Sequence, residues 1–443
     1  MHYDRHYLKI ALPAAFEGLF MILLASTDLI LVSALGSLSV AAVSIFLQPR
    51  LVLLCFSRSL ASAVTLLVSR LVGAGKEENI PDLLKKSFFL CALGMGVLHI
   101  LFYIFLKEIF YLMGATDDYI PLAMEYGPLA LLAVYFTSLT LIFQAVELGQ
   151  GNTAIIMKTN VAGNVLNAVL SFLLIRGLGP IPAFGVWGAA FGTAVSTLFT
   201  MVLSFYLLYN RKFFHAGSYI PDRKYFKTIL PVFGSLLSEQ GSERIGMVLF
   251  SRMAAGLGTV PFAIHSIAMN ICDIYYDFIM GFGKANMVAA GQSVGRKSME
   301  DWKSYRNTGL KWCMIFSTGA FLLTYIFSEE IFAFYSPELS RISVSATIML
   351  FIAVVSYPEA IAIWGTAILR GSGKTSQVAA YSLLSVTFLR PIMTGLFTYV
   401  LDMGLIGTWS ALLLDQCIRA TISSFLVRRL WKKDLTLVMT KEI

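Results

Sequence analysis

The chain has 443 residues, of which 57% are hydrophobic and only 14% are charged. Soluble domains carry about 25% charged residues, and the mean hydropathy here is +0.74. This composition excludes a cytosolic enzyme, a disordered protein and a nucleic-acid-binding protein, and it predicts a membrane protein. We therefore expect the net charge of +8 to reside in cytoplasmic loops, where membrane proteins concentrate Lys and Arg.

Apolar segments long enough to cross a bilayer follow one another along the whole chain. A transmembrane helix needs about 20 mostly apolar residues, and short polar breaks separate runs of that length. The sequence predicts an all-α membrane protein with twelve transmembrane helices. The predicted spans are 10–35, 45–69, 87–112, 121–148, 154–176, 184–209, 227–255, 261–293, 307–327, 342–369, 376–401 and 404–427.

The second half of the chain repeats landmarks of the first. Val72-Gly73 recurs as Val294-Gly295, and Gly151 recurs as Gly373. We expect an N-lobe of six helices over 1–210, a cytoplasmic linker over 211–226, and a C-lobe of six helices over 227–443 that ends in a short cytoplasmic tail. An even helix number gives both lobes the same orientation, so a pseudo-twofold axis along the membrane normal should relate them.

The distribution of basic residues predicts the orientation in the membrane. Most of the Lys and Arg residues lie in the loops on the side of both termini, in the breaks 73–86, 209–227, 295–306 and from 428 onward. The opposite loops hold only Lys107, Arg176 and Arg341. By the positive-inside rule, we expect a multi-pass protein of the plasma membrane with both termini in the cytoplasm.

Charged residues inside apolar spans need an explanation, because each costs at least about 2.5 kcal/mol at the bilayer centre. Asp28 lies near the middle of the first span, and Arg58 of the second span is its expected basic partner. One interpretation of Asp28 is a structural ion pair between two helices. The other interpretation is a functional carboxylate.

The second half contains most of these acids. Glu239 and Glu243 stand four residues apart on the seventh span, and Glu359 follows Pro358 in the tenth. Clustered carboxylates can relay protons, or they can bind sodium, for which Glu239 and Glu359 are the candidates. In a third interpretation, Arg244 and Arg252 on the seventh span pair with some of these acids and make them inert. The eighth span repeats the spacing of four residues with Asp273 and Asp277.

Several motifs together resemble the multidrug and toxic compound extrusion (MATE) family over nearly the whole chain. The first span from Pro13 to Asp28 is similar to the family's first helix, and Asn164 and Asn167 fit its fifth helix. Two glycine-containing segments resemble the ends of its eighth and tenth helices. They are Gly291-Gln292-Ser293-Val294-Gly295 and Leu369-Arg370-Gly371-Ser372-Gly373.

The resemblance implies a secondary antiporter that exports organic cations or amphiphilic compounds, a xenobiotic transporter, in exchange for protons or sodium. By position, Asp28 matches the N-lobe acid of the family, and Glu239 and Glu359 match the C-lobe acids of a bacterial branch. Ser171 stands where other bacterial members carry an aspartate, which favours the C-lobe as the coupling site. Glu243, Asp273, Asp277, Asn164 and Asn167 are secondary candidates for contacting cation or substrate.

Two alternative functions remain open at this point. A lipid-linked oligosaccharide flippase shares the superfamily fold, although clustered acids argue against it. A polytopic membrane enzyme would need a nucleophile or a metal cluster, and the sequence shows neither. We expect no cofactor besides the coupling ion, and we expect a monomer whose partners are small molecules and membrane lipids.

Overall fold

The computed structural model describes residues 2–177, 182–214 and 217–430, with the side chains of 23–30 and 37 left out of the description. Every regular element in these ranges is helical. The first half contains α1 (His2–Ser33), α2 (Ser37–Ser44), α3 (Leu47–Gly73), α4 (Ile80–Ile104), α5 (Leu106–Leu112), α6 (Ile120–Gln150), α7 (Thr153–Arg176) and α8 (Gly185–Asn210). The second half contains α9 (Arg223–Ala255), α10 (Thr259–Gly295), α11 (Met299–Ile326), α12 (Ser328–Tyr335), α13 (Pro337–Ser340), α14 (Ser343–Gly371), α15 (Thr375–Ser382), α16 (Arg390–Gly395) and α17 (Gly404–Arg429).

Within the described ranges, nine helical stretches are long and apolar enough to cross a membrane. They are Leu38–Gly73, Glu77–Ile104, Ile120–Gln150, Thr153–Arg176, Gly185–Asn210, Met299–Ile326, Ser343–Gly371, Thr375–Val400 and Gly404–Arg429. The prediction of an all-helical membrane protein is therefore confirmed, and the arrangement of twelve spans in two lobes stays a prediction. One detail of the prediction is wrong: Lys85 and Lys86, assigned to a loop, lie buried inside α4.

The sequence repeat has a counterpart in the backbone. Gly151 and Gly373 both adopt a left-handed conformation, with φ of 87° and 83°. Asn152 N donates to the carbonyl of Glu147 at 2.8 Å, and Lys374 N donates to the carbonyl of Leu369 at 2.9 Å. Gly36 and Gly258 likewise share a φ of 103°. Equivalent turns thus connect equivalent helices in the two halves of the chain.

The described chain forms two compact units. The unit that we call the C-terminal unit comprises 2–18, 73–75 and 234–430, and the N-terminal unit comprises Leu19–Val72 and Lys76–Phe233. The boundaries between the units fall inside α1, after Gly18, on either side of 73–75 at the end of α3, and inside α9, after Phe233. The boundaries of the predicted lobes, 1–210 and 227–443, remain a prediction.

In the N-terminal unit, small residues allow α7 and α8 to pack closely, as is common between membrane helices. A Cβ atom added to Gly188 would lie 2.7 Å from the carbonyl oxygen of Leu174, and one added to Gly192 would lie 3.2 Å from the amide of Ser171. Side chains larger than glycine would push the two helices apart at both positions. The close packing fixes the position of Ser171 on α7.

The segment before α9 is held to α4 by charge. Lys86 Nζ lies 3.1 Å from Asp222 and 2.7 Å from Asp82. The hydrogen bond from the Tyr225 amide, together with the Lys86 ammonium, lowers the pKa of Asp222. These contacts explain why Lys86 is tolerated inside α4, because two carboxylates neutralise its charge. Lys85 instead donates to the backbone carbonyl of Gly217 at 3.4 Å.

In the C-terminal unit, α14 packs against α10, α11 and α17. The apolar side chains at this junction include Phe250, Ile348 and Trp409, each at most 2% exposed. The first turns of α1 are attached to the same unit, because Asp4 accepts hydrogen bonds from Lys311 and from Trp312 Nε1. Those bonds hold the pKa of Asp4 below its usual range. Polar side chains placed on α14 therefore lie at the centre of this unit.

We predict that Gly281→Ala destabilises the protein. The added Cβ would overlap the backbone of Ala15 where α1 crosses α10, and overpacking of this kind costs about 1–3 kcal/mol. A lower melting temperature of the purified protein in detergent is the expected result. Gly319→Ala in α11 is the matched control, because nothing lies within 4 Å of its added Cβ. An equal loss in both variants would contradict this packing.

Candidate cation-coupling site

Acidic and basic side chains from α9, α14, α16 and α17 come together inside the C-terminal unit. Pro358 cannot donate a backbone hydrogen bond, so α14 has one fewer bond in the turn that leads into Glu359. Since α14 is central to the unit, Glu359 is only 5% exposed. The i,i+4 spacing on α9 places Glu239 and Glu243 on one face, as the sequence predicts.

Glu239 is held by an arginine. Its side chain is 1% exposed, and its Oε1 lies 2.6 Å from Nη2 of Arg370, which stands in the last turn of α14. Arg370 Nε donates to the second oxygen at 3.2 Å, and the Ser382 hydroxyl donates to the first at 3.4 Å. This two-pronged geometry is the strongest that a guanidinium and a carboxylate can form. The carboxylate of Glu239 is thus fully engaged.

Two further ion pairs lie nearby. Glu243 Oε1 accepts a hydrogen bond from Nη2 of Arg419 at 3.1 Å. Asp415, which is 1% exposed, pairs with Arg390, whose Nε donates at 3.0 Å, and it also accepts from the Ser385 hydroxyl. Arg390 begins α16, between two π-helical segments at Leu383–Leu389 and Leu396–Val400. The three arginines of the cluster therefore each neutralise one acid.

Glu359 is different from these acids. Gln416 Nε2 donates to its Oε1 at 3.3 Å, and its Oε2 is buried with no hydrogen-bond partner among the described residues. The other buried carboxylates of the described chain all have a cationic partner. These are Glu17 with Lys284, Glu147 with Arg211, Glu239 with Arg370, and Asp415 with Arg390.

An unpaired carboxylate charge in a buried site costs several kcal/mol, and the group neutralises itself by binding a proton instead. Glu359 is therefore the buried acid of this cluster that is suited to exchange a proton or another cation. One of its oxygens is fixed by an amide, and the other has no hydrogen-bond partner among the described residues. The ion-paired acids would first have to give up an arginine.

The other predicted acids have different surroundings. Asp273 is exposed on α10, while Asp277 is half-buried on the same helix, where its backbone carbonyl faces Gly18 of α1. Arg244 is exposed and forms no ion pair with the described residues. Arg419 is the partner of Glu243 instead, so the neutralising arginine comes from α17.

Asp28 is the candidate acid of the first predicted span. The side chain of Asp28 lies outside the described residues, so its predicted pairing with Arg58 stays a prediction. Arg58 itself is exposed on α3.

The N-terminal unit presents a row of amides and hydroxyls along α7. Asn167 Nδ2 donates to Ser171 Oγ at 3.4 Å and to Thr193 Oγ1 at 3.1 Å. Asn164 Nδ2 contacts the thioether sulfur of Met21. Ser171 is thus satisfied by a neutral partner at the position where the sequence resemblance expects an acid in other members.

Three members of this cluster were not predicted from the sequence: Arg390, Asp415 and Arg419. All three lie within the predicted spans 376–401 and 404–427, where a charge is costly. The cost of a charge within a span was enough to mark each of the three as a candidate member of a buried ion pair. What the sequence could not show is which acid each arginine neutralises, because the partners lie up to 176 positions apart along the chain.

Sodium needs several oxygen ligands around one point. Among the described residues, no group of three or more His, Cys, Asp and Glu side chains could hold a metal ion.

We predict that Asp415→Asn strongly destabilises the protein. It leaves the Arg390 charge buried and unpaired, and breaking a buried pair in this way costs about 3–5 kcal/mol. A large fall in melting temperature, measured on purified protein in detergent, is the expected outcome. Asp4→Asn breaks an exposed pair with Lys311 and should cost far less. Comparable losses in the two variants would show that Arg390 finds another partner.

Comparison with known protein families finds matches over most of the chain. The MatE family model matches residues 13–173 and 231–395, one segment in each half of the repeat. The Thermotoga maritima protein named probable multidrug resistance protein NorM is 24% identical over 99% of this chain and 95% of its own length. The Bacillus subtilis (strain 168) protein named probable multidrug resistance protein YoeA is 23% identical over 85% of this chain and 82% of its own length.

The fold is shared with solved structures. A crystal structure of MATE in complex with MaD3S superposes with a TM-score of 0.89 at 20% identity, covering 99% of this chain and 97% of that one.

Proposed function

The chain belongs to the multidrug and toxic compound extrusion (MATE) family, and we propose that it is an antiporter that exports organic cations and amphiphilic compounds in exchange for protons. Members of this family are transporters, so the protein is a transporter and not an enzyme. The membrane enzyme considered from the sequence is thereby set aside, whereas a lipid-linked oligosaccharide flippase, which is also a transporter, stays the alternative function. Alternating access, in which the binding site faces the two sides of the membrane in turn, is the proposed mechanism.

The observation that carries the proposal is the isolation of Glu359 among buried acids. Its Oε2 has no partner among the described residues, and its Oε1 receives only the amide of Gln416. A bound proton and a bound organic cation would each neutralise this carboxylate, and they cannot do so together. Competition for a single carboxylate gives exchange, because each species displaces the other.

The proton is the coupling ion that the surroundings of Glu359 support best. Arg370, Arg390 and Arg419 all belong to the same cluster. These arginines occupy the oxygens of the other three acids, whereas a small metal cation would need several further oxygen ligands beside Glu359. A proton needs only one oxygen, and Oε2 supplies it.

Glu239 takes a supporting role in this proposal. Arg370 holds both carboxylate oxygens of Glu239. Glu239 therefore serves to fix α9 against α14 and to keep Arg370 away from Glu359. Asp28 remains a proposed second cation site, and Asn164 and Asn167 remain proposed substrate contacts. Asp273, exposed on α10, and Asp277, on the next turn, remain proposed secondary contacts for cation or substrate.

The substrate class follows from the same carboxylate. Relatives named as multidrug resistance proteins suggest varied compounds, and a buried acid among aromatic residues selects amphiphiles that carry a positive charge. We propose that the protein acts as a monomer in the plasma membrane, with both termini in the cytoplasm.

We predict that Glu359→Gln abolishes proton-driven export. The amide keeps the size of the side chain and the contact with Gln416, but it cannot exchange a proton. Efflux of ethidium from proteoliposomes under an imposed pH gradient should fall by about 100-fold or to background, since coupling needs the titrating group itself. Glu338→Gln, an exposed acid on α13, is the matched control and should match the unmodified protein.

Unchanged pH-driven efflux in Glu359→Gln would overturn the assignment. A parallel series with a sodium gradient and no pH gradient tests the choice of ion. If sodium alone drives efflux and Glu359→Gln removes it, the site stands and the coupling ion is sodium.

A further inference from the structure

One face of α17 reaches both Glu359 and Glu243. Gln416 and Arg419 are three residues apart on α17 and therefore lie on the same side of the helix. Gln416 donates to Glu359 Oε1 at 3.3 Å, whereas Arg419 donates to Glu243 Oε1 at 3.1 Å. The arginine thus stands one helical turn from the residue that already contacts Glu359.

The side chains of Arg419 and Glu359 both have unused hydrogen-bonding capacity. Arg419 Nε is buried and has no hydrogen-bond partner among the described residues, and the same is true of Glu359 Oε2. A guanidinium carries five N–H donors on a flexible stem, so it can exchange one carboxylate for another by side-chain rotation. A buried donor and a buried acceptor that both lack partners each cost free energy, and this cost favours a rearrangement that pairs them.

The charges around Glu359 single out Arg419 as the cation able to replace a ligand. Arg390 is the other guanidinium that acts on Glu359, and it is committed to Asp415 by two bonds. Asp273 carries the wrong charge. Three helices contribute the titratable groups near Glu359. Helix α16 contributes Arg390, α17 contributes Arg419, and α10 contributes Asp273, Cys272, Tyr275 and Tyr276. Helix α11 adds the hydroxyl of Ser317, which is hydrogen-bonded to Tyr275.

We propose that Glu243 enforces proton coupling by holding Arg419 away from Glu359. This inference rests on the proposed function of Glu359 as the exchanging carboxylate. With Arg419 bound to Glu243, an ionised Glu359 has no internal counter-ion and must take up a proton or a cationic substrate. Glu243 is a positioning residue in this scheme, since it acts on the exchange through Arg419.

The consequence for transport is that the carrier does not change its facing state without a bound proton or substrate. If Arg419 reached Glu359, the carboxylate would be neutralised by the protein itself. Proton and substrate would both bind more weakly. An opposite charge within about 4–6 Å lowers the pKa of a carboxyl group by about 1–3 units, and it also competes with a cationic substrate for the carboxylate. The empty carrier could then change its facing state, and the exchange would no longer be obligatory.

The test compares Glu243→Gln, Arg419→Gln and the double variant in two assays. One assay is pH-driven ethidium efflux from proteoliposomes, and the other is ethidium binding to purified protein as a function of pH, followed by fluorescence anisotropy. In Glu243→Gln the released arginine should shift the pH midpoint of dye binding by about one unit or more to the acid side. It should also reduce pH-driven efflux by about tenfold or more, since one unit corresponds to a factor of ten.

The other variants separate this role from simple stabilisation. Arg419→Gln removes the competing cation, so the pH midpoint should stay within about half a unit of the unmodified protein. The double variant should recover the midpoint and the efflux that Glu243→Gln loses. A purely structural ion pair would instead impair both single variants alike. Glu147→Gln, which breaks the ion pair with Arg211 in the N-terminal unit, controls for the loss of a buried pair and should keep the midpoint.

Each outcome has a clear meaning. An unmodified protein that shows no pH-driven efflux contradicts the proposed function itself. If the unmodified protein is proton-coupled and Glu243→Gln keeps the normal midpoint, the role of Glu243 is refuted. Should Glu243→Gln fail to fold, Arg419→Gln decides: an unchanged midpoint supports the role, and a loss of pH dependence overturns it.

Discussion

The structure depends on the cost of burying charge in a medium of low dielectric. Each ionised side chain within the helices must find a partner or become neutral. In the C-terminal unit this requirement is met by pairing α9 with α14, α9 with α17, and α16 with α17, through Glu239, Glu243 and Asp415. The ion pairs therefore fix the positions of four helices, and Glu359 is the buried acid that is left without an arginine among the described residues.

The sequence predicts the helical class well, because apolar length is a strong signal that does not depend on tertiary contacts. It also predicts Glu239 and Glu359 as buried acids. It could not rank them, since their difference lies in whether an arginine reaches them. Arg370 belongs to a motif that appears as a turn in the sequence, yet its side chain points back to Glu239 from the last turn of α14.

The expectation for Arg244 shows the same limit. Arg244 is adjacent to Glu243 in sequence, but neighbours along a helix point in different directions. Arg419 neutralises Glu243 from a helix that is remote in the chain. The charged residues of a segment can therefore be identified from the sequence. Predicting which of them form ion pairs requires knowing the positions of several helices at once. The same holds for Lys86, whose partner Asp222 lies beyond four intervening helices.

The π-helical segment Leu383–Leu389 makes the register of this region unusually sensitive to chain length. A π-helical turn holds more residues than an α-helical turn, and Pro391 just beyond it cannot supply the usual backbone donor. If the same residues wound as ordinary α-helix instead, the part of this helix beyond them would rotate by about 100°. Arg390 would then point away from Asp415, so homologous chains that keep this ion pair should also keep the wide turn.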